Sequence, residues 1–289
     1  MAVVAPAGPV DAARLARVPA LILAQGWVPR VAPGCALQQG YLAGGDTQRL
    51  ADLQAALDDP GVAAVWCLRG GYGSGRLLPA LNLAGLHAAP KPLIGCSDIT
   101  ALHLLLDRAG LPGLHGPMPG SDLLLPGREA DAQALFSLLR QGLRAGHTWS
   151  SPPQAGPLHR GGVASGRLLG GNLSLLAALA GTPWQPDTRG RLLFLEDVGE
   201  PPYRVDRMLL QLQLAGMLAG VAGVLLGSFT EADDCSAALQ DHLLALGVPL
   251  LAGWPAGHGR PNRPLPLGFM ATLDADAGTL RFDEDVLVS

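Results

Sequence analysis

The sequence contains almost no lysine and no run of basic residues. Lys91 is the only lysine among 20 basic residues, and the formal net charge is −4. Nucleic acids and anionic membrane surfaces bind clusters of Lys and Arg. The composition therefore argues against a nucleic-acid or membrane partner. Because Ala, Leu and Gly are abundant, the scarcity of lysine indicates coding bias rather than function.

The sequence also lacks a CxxC pair and the residue spacing of a zinc site. Its four cysteines lie far apart, at positions 35, 67, 96 and 235. Three of them have apolar neighbours, which favours buried free thiols and a reducing cytoplasm, although an even number leaves a disulfide open. The seven histidines do not have the spacing of zinc ligands.

A signal peptide and a membrane span are not expected either. The N-terminus lacks a basic start followed by a long apolar stretch, and its first residues have the character of a buried strand. The stretch 208–230 is uncharged and long enough to cross a membrane, but it contains Gln211, Gln213 and several glycines. Its pattern changes from helical to strand-like, which predicts a helix followed by a strand.

What the sequence does contain is enough apolar material for two cores. Of its 289 residues, 48% are hydrophobic and 15% are charged, which argues against disorder. In the first half, short apolar runs alternate with amphipathic segments, a pattern typical of βαβ units and a mainly parallel sheet. The predicted strands are 3–5, 27–31, 62–68, 92–95 and 113–115. The predicted helices are 11–25, 46–58, 75–81, 99–109 and 128–140.

A second α/β unit is predicted after a segment rich in Ser, Pro, Gly and Gln. We expect an N-terminal α/β domain over 1–143, a linker over 144–162 and a smaller C-terminal α/β domain over 163–289. The second half has predicted strands near 163–169, 191–195 and 221–226, and predicted helices from 172, from 203 and over 235–246. The active-site cleft is expected between the two domains.

The segment PLIGCSDITALHLLL (92–106) contains the first candidate for chemistry. A buried strand leads into Ser97 and Asp98, and a helix begins directly afterwards. A serine at such a turn projects its hydroxyl from the edge of the sheet, where the first helical N–H groups stabilise an oxyanion. The alternative is that Ser97 or Asp98 only caps the helix.

A carboxylate and a histidine follow at the ends of later segments. Glu196 ends an apolar strand, and a carboxylate there orients a histidine unless it only pairs with a nearby arginine. His258 lies between two glycines, which leave it accessible as a general base and acid. His115, at the end of another strand, is the second candidate for the base, whereas His103 is expected to be packed in a helix.

The loop RGGYGSGR (69–76) is a candidate anion or oxyanion cradle. Its glycines allow positive φ and close backbone approach. It lacks the third glycine of a dinucleotide-binding loop, because position 76 is Arg, and no Walker lysine is present. A plain tight turn is the alternative.

These motifs together resemble the LD-carboxypeptidase family of serine peptidases, which includes microcin-immunity peptidases. The similar segments are VVAPAGPVD (3–11), LRGGYGSGRLLPALN (68–82), IGCSDITAL (94–102), HGPM (115–118), GGNLSLLAALAGTPW (170–184), LFLEDVGEPPYRVDRMLLQL (193–212), VLLGSFTEADD (224–234) and GHGRPNRPLPLG (257–268). The resemblance spans nearly the whole chain and favours catalysis over capping at Ser97.

The resemblance implies a fold, a reaction and a site. The fold would be a flavodoxin-like N-terminal domain with a second α/β domain. The reaction would release the terminal D-alanine from a murein tetrapeptide during cell-wall recycling, without metal or cofactor, in a cytoplasmic homodimer. The implied residues are Ser97 as nucleophile, Glu196 as orienting acid, His258 as base, Asp98 and Gly71 as oxyanion hole, and Gly70, Tyr72 and Asn172 as substrate-binding residues.

Three alternatives to this function are open. A microcin-immunity type of peptidase would cleave a peptidyl-nucleotide amide with the same chemistry. A non-catalytic binding protein would hold a ligand in the glycine-rich loop. An amidotransferase-like enzyme would use Cys96, which stands where this family commonly has an aromatic residue or His.

Overall fold

The structure, a computed structural model, describes residues 1–151 and 158–288. The strands are β1 (Ala2–Val4), β2 (Arg30–Val31), β3 (Val65–Cys67), β4 (Leu93–Gly95), β5 (Gly113–His115), β6 (Thr148–Ser150), β7 (His159–Arg160), β8 (Val163–Asn172), β9 (Leu192–Val198), β10 (Gly223–Thr230), β11 (Leu250–Leu251), β12 (Leu265–Leu267), β13 (Met270–Asp274) and β14 (Thr279–Phe282). The α-helices are α1 (Ala12–Leu23), α2 (Asp46–Asp58), α3 (Ala84–Ala88), α4 (Thr100–Arg108), α5 (Glu129–Gln141), α6 (Leu173–Leu179), α7 (Pro202–Leu214) and α8 (Ser236–Leu243).

The first sheet has the order β2-β1-β3-β4-β5, and all five strands are parallel. This is the strand order of flavodoxin-like folds, in which ligands bind at the carboxyl ends of the strands. The predicted fold class is therefore confirmed. A sixth strand, β12, pairs antiparallel with β5, so a segment from the far end of the chain completes this sheet.

The second sheet has eight strands in the order β6-β14-β13-β8-β9-β10-β11-β7. Strands β8 to β11 are parallel, and the other four are antiparallel to their neighbours. Both β6 and β7 lie within the predicted linker and pair with strands of this sheet. Residues 152–157 of that linker lie outside the described residues.

Local sequence explains where the helices near the site begin. Asn172 ends β8 and caps α6, because its side-chain oxygen accepts a hydrogen bond from the Leu175 amide at 3.3 Å. Pro202 begins α7, where its missing N–H would have no helical partner in any case. Val205, Leu209 and Leu212 are fully buried on one face of α7, as their spacing predicts.

The uncharged stretch 208–230 divides as predicted. Helix α7 ends at Leu214 and β10 begins at Gly223. In the part of the chain that the structure describes, every helix is too short or too polar to cross a membrane.

Candidate active site

Ser97 lies at the sharp turn between β4 and α4. Its φ is +59°, a left-handed conformation that costs a non-glycine residue roughly 1–2 kcal/mol. A short 3-10 helix, Ser97–Ile99, leads directly into α4. Within the described residues, no helix amide donates a hydrogen bond to the Ser97 hydroxyl, so Ser97 does not cap the helix. The strained backbone is that of a nucleophile elbow.

Asp98 connects this turn to the glycine-rich loop. Its carboxylate accepts a hydrogen bond from the Ser74 amide at 2.8 Å, and its carbonyl accepts one from the Ser74 hydroxyl at 2.6 Å. Burial raises the pKa of Asp98, while the hydrogen bonds from Ser74 oppose that shift. Because Asp98 binds Ser74, the glycine-rich loop and the turn that carries Ser97 form one unit.

The loop brings the Gly70–Gly71 peptide against Ser97. A Cβ atom added at Gly70 would lie 2.8 Å from Cβ and 3.0 Å from Oγ of Ser97. The Gly70 carbonyl accepts a hydrogen bond from the Gly8 amide at 2.9 Å. In a trans peptide the carbonyl and the next N–H point in opposite directions, so the Gly71 N–H points away from Gly8. Within the described residues this N–H has no acceptor.

A buried arginine supports the same loop from behind. Arg49 is 1% exposed and donates to the Gly73 carbonyl at 2.9 Å and to the Pro6 carbonyl. Its guanidinium also pairs with Asp46 at 2.5 Å. These contacts fix the loop that carries Gly70 and Gly71.

Glu196 and His258 form a tightly coupled pair. Glu196 is fully buried near the carboxyl end of β9, two residues before the strand ends, and its Oε2 accepts hydrogen bonds from His258 Nδ1 at 2.6 Å and from the His258 backbone N–H at 3.2 Å. Burial lowers the pKa of His258, but the hydrogen bond and charge of Glu196, with help from Asp122 and Asp197, outweigh burial and raise it overall. The pair can orient the imidazole and stabilise its protonated form.

The position directly before His258 in its loop requires glycine. Gly257 has a φ of +105°, and a Cβ atom there would lie 2.7 Å from Oε2 of Glu196. On the other side, the Gly259 amide donates to the Ser228 hydroxyl at 2.7 Å. The absence of a side chain at Gly257 thus lets the loop approach the Glu196 carboxylate, and Ser228 anchors the residue that follows His258.

Two contacts bring the turn that carries Ser97 and the Glu196–His258 pair together. The Thr100 hydroxyl at the start of α4 accepts a hydrogen bond from the backbone N–H of Asn172 at 3.0 Å. Asn172 on β8 lies beside Glu196 on the neighbouring strand β9. Asn262, whose side chain accepts the Gly257 N–H at 3.1 Å, also lies beside the Cys96 thiol, where its hydrogen bonding partly opposes the rise in the Cys96 pKa that burial causes. The hydroxyl of Ser97 makes no hydrogen bond to His258 in this conformation, and such bonds are often long before substrate binds.

The predicted substrate-binding residues have different surroundings. Tyr72 is 53% exposed, packs edge-on against Tyr41 at 5.6 Å and borders a groove of about 640 Å³ that reaches Gly71. Asn172 is buried, and its side-chain Nδ2 donates a hydrogen bond to the Asp197 carboxylate at 2.8 Å. The geometry thus favours a positioning role for Asn172, and its contact with substrate stays a prediction.

Burial disfavours the two rival reactive groups. His115 is fully buried against the Phe194 ring at 5.0 Å, and burial places its pKa well below the ordinary value. Cys96 is a buried free thiol whose pKa is raised well above the ordinary value by burial, then by the charges of Asp122 and Glu196. A protonated thiol is a poor nucleophile. His103 is packed in α4, as predicted.

Four supporting residues escaped the sequence analysis: Ser74, Thr100, Ser228 and Asn262. All four lie within the segments that carry the family resemblance. Their position in those segments could have marked them as candidates. The sequence does not show which distant residue a hydroxyl or amide in a loop binds, so their roles could not be predicted.

Comparison with known proteins identifies the family. Residues 1–116 match the profile of the LD-carboxypeptidase N-terminal domain, and residues 165–273 match that of the LD-carboxypeptidase C-terminal domain. A putative carboxypeptidase of Streptomyces coelicolor is 46% identical over 100% of this chain and 94% of its own. The murein tetrapeptide carboxypeptidase of Pseudomonas aeruginosa is 41% identical over 82% of this chain and 80% of its own.

Solved structures agree with the sequence matches. The crystal structure of muramoyltetrapeptide carboxypeptidase from Oxalobacter formigenes has a TM-score of 0.86, 33% identity and 99% coverage of both chains. MccF in complex with glutamyl sulfamoyl guanosine has a TM-score of 0.90 and covers 99% of this chain and 96% of its own, but at 22% identity it shows the fold alone. The chain belongs to the LD-carboxypeptidase family.

Proposed function

We propose that this protein is a serine carboxypeptidase that releases the terminal D-alanine from murein tetrapeptide during cell-wall recycling. The observation that carries the proposal is the Glu196–His258 pair, joined at 2.6 Å, in a fold whose other half presents Ser97 on a strained turn. Relatives named as murein tetrapeptide carboxypeptidases, at 41% and 33% identity, support the substrate.

In the acylation step, Ser97 Oγ attacks the carbonyl carbon of the L-residue that precedes D-alanine. His258 Nε2 takes the hydroxyl proton, and Glu196 stabilises the resulting imidazolium. The carbonyl oxygen gains negative charge, which the N–H groups of Gly71 and Asp98 stabilise. Removing one such donor typically costs about 3–4 kcal/mol of transition-state stabilisation.

The tetrahedral intermediate then collapses. The C–N bond breaks, His258 returns its proton to the departing amine, and D-alanine leaves. Water attacks the acyl-enzyme with His258 again as base, which restores Ser97 and frees the shortened peptide.

The same geometry would also serve a microcin-immunity peptidase. The similarity to MccF structures supports this second function only through the fold, because identity lies at 22–24%. Murein peptide is therefore the favoured substrate.

We further propose that the protein acts in the cytoplasm as a homodimer, without a metal or cofactor. Four buried free cysteines support a reducing compartment. Tyr203, Leu210 and Leu214 are exposed on one face of α7 together with Arg207, which lies over the Tyr203 ring, and a face rich in Tyr, Leu and Arg suits contact with a second copy. Light scattering after size exclusion would test the dimer; a monomer at all concentrations would contradict it.

The test of function is D-alanine release from purified murein tetrapeptide, followed by mass spectrometry. We expect turnover by the native protein, loss of turnover in Ser97→Ala with an unchanged fold, and no release from a tetrapeptide ending in L-alanine. Parallel assays with an aminoacyl sulfamoyl nucleotide separate the two substrates. Turnover of the nucleotide alone would reject the murein assignment.

A further inference from the structure

Helix α5 begins with a buried ion pair that the catalytic chemistry does not use. Arg128 precedes the helix and Asp131 lies in its first turn, with Nη1 and Oδ2 2.8 Å apart. Their side chains are 6% and 5% exposed. A buried ion pair contributes little net stability, because the cost of removing both charges from water offsets their attraction.

Both members of this pair also bind the loop that carries His258. Arg128 Nη1 donates to the Gly259 carbonyl at 3.1 Å, and Asp131 Oδ1 accepts a hydrogen bond from the Asn262 amide at 3.1 Å. The Asn262 side chain in turn accepts the Gly257 N–H at 3.1 Å. The residues on both sides of His258 are thus tied to one ion pair.

Helix α5 itself is packed on the first sheet. The Phe136 ring of α5 meets the Trp66 ring of β3 edge-on, with centroids 5.5 Å apart. The same sheet positions Ser97, which lies two residues after the end of β4. Glu196, by contrast, lies on β9 of the second sheet, and Ser228 holds the Gly259 amide from β10.

We propose that Arg128 and Asp131 are positioning residues that fix the His258 loop relative to Ser97. The second sheet sets the distance from Glu196 to His258, and the α5 ion pair sets the distance from His258 to the nucleophile. This inference rests on the proposed function, since it assumes that His258 activates Ser97. A displacement of about 1 Å in such a group is enough to cost on the order of 100-fold in rate.

The decisive variant is the double change Arg128→Met with Asp131→Asn. The asparagine side chain would keep an acceptor for the Asn262 amide, and no unpaired charge would remain in the interior. The Gly259 carbonyl, however, would lose its donor. We expect the melting temperature to stay close to that of the native protein, while kcat falls about 100-fold and KM changes by less than about 3-fold.

A matched control is Arg144→Met with Asp285→Asn. This pair joins the segment that follows α5 to a distant part of the chain, but its side chains are 76% and 47% exposed and contact no part of the His258 loop. We expect it to leave kcat and KM unchanged.

The rate at which a fluorophosphonate labels Ser97 gives a readout that does not depend on the substrate. We expect the double variant to label about 100-fold more slowly than the native protein and the control. Labelling and kcat at the native rate in the folded double variant would overturn the inference. If the native protein itself failed to label at Ser97, the proposed function would fail instead.

Arg128→Lys provides a second test should the double variant not fold. Lysine keeps the charge opposite Asp131, but its ammonium sits on a flexible stem, whereas Nη1 of the rigid, planar guanidinium donates to both the Asp131 carboxylate and the Gly259 carbonyl. We expect labelling roughly 10-fold slower than native, with an intact fold. Native labelling in this variant would count against the inference as well.

Discussion

His258 donates two hydrogen bonds to one oxygen of Glu196, from Nδ1 at 2.6 Å and from its backbone amide at 3.2 Å. In the proposed mechanism, the first bond places the proton on Nδ1, so that Nε2 is free to accept a proton from Ser97. The second holds the backbone of the loop against the same carboxylate. The ring and its loop are therefore oriented together.

The raised pKa of His258 predicts the pH dependence of activity. Only the neutral imidazole accepts a proton, so kcat/KM should fall as the pH drops through the His258 pKa. Because Glu196 raises that pKa above its ordinary value of 6.5, the acid limb should lie above pH 6.5. A pH profile of kcat/KM measures the position of this acid limb. An acid limb below pH 6 would contradict the claim that Glu196 raises the His258 pKa.

Glu196→Gln should separate the effect of the negative charge of Glu196 from the effect of its hydrogen bond to His258. The amide oxygen still accepts the Nδ1 hydrogen bond, but burial now lowers the His258 pKa against only the smaller opposing effects of the Asp122 and Asp197 charges. We expect NMR titration to show a lower His258 pKa and kcat to fall on the order of 10⁴-fold.

Asp206→Asn is the matched control for this variant. Asp206 contacts His242 at 2.6 Å on the protein surface, so the change removes the same kind of pair elsewhere. Activity should be unchanged. A Glu196→Gln variant as active as this control would remove Glu196 from the mechanism.

Gly70→Ala should disrupt the proposed oxyanion hole without strain from φ. The added Cβ would lie 2.8 Å from Cβ of Ser97, so the Gly70–Gly71 peptide must move. We expect kcat/KM to fall about 10²–10³-fold, as when an oxyanion donor is lost. Gly75→Ala, in the same loop but with open space around the new Cβ, should keep native activity. Equal activity in the two variants would exclude this peptide from the site.

Cys96→Ala should retain catalysis. The thiol is buried and its pKa is raised well above the ordinary value, so it is protonated at neutral pH. We expect a loss of about 1 kcal/mol in unfolding free energy and kcat within about 3-fold of native. An inactive but folded Cys96→Ala protein would point to a cysteine enzyme.

Local patterns predicted the elements near the site well. The range 46–58 is helical as predicted, and 113–115 forms a strand with the predicted bounds. These segments have clear helical or strand periodicity and are bounded by glycine, proline or aspartate. The range 27–31 was predicted as a strand, but only Arg30–Val31 pair with β1.

The sheet topology could not be predicted as well, because several strands pair with strands that are distant in the sequence. Strand β12 returns from the C-terminal part of the chain to the first sheet, and β6 pairs with β14 across more than a hundred residues. Neither partner is encoded in local periodicity. The positive φ of Ser97 and the burial of Arg49 were likewise hidden, because both oppose the ordinary preference of the residue type.

The most direct test of the mechanism is to map a covalent adduct. The protein is incubated with a fluorophosphonate, digested, and the peptide containing Cys96 and Ser97 is sequenced by tandem mass spectrometry. The mechanism predicts one phosphonyl group on Ser97, formed in Cys96→Ala and absent in Ser97→Ala. An adduct on Cys96, or an unmodified Ser97 after prolonged incubation, would contradict it.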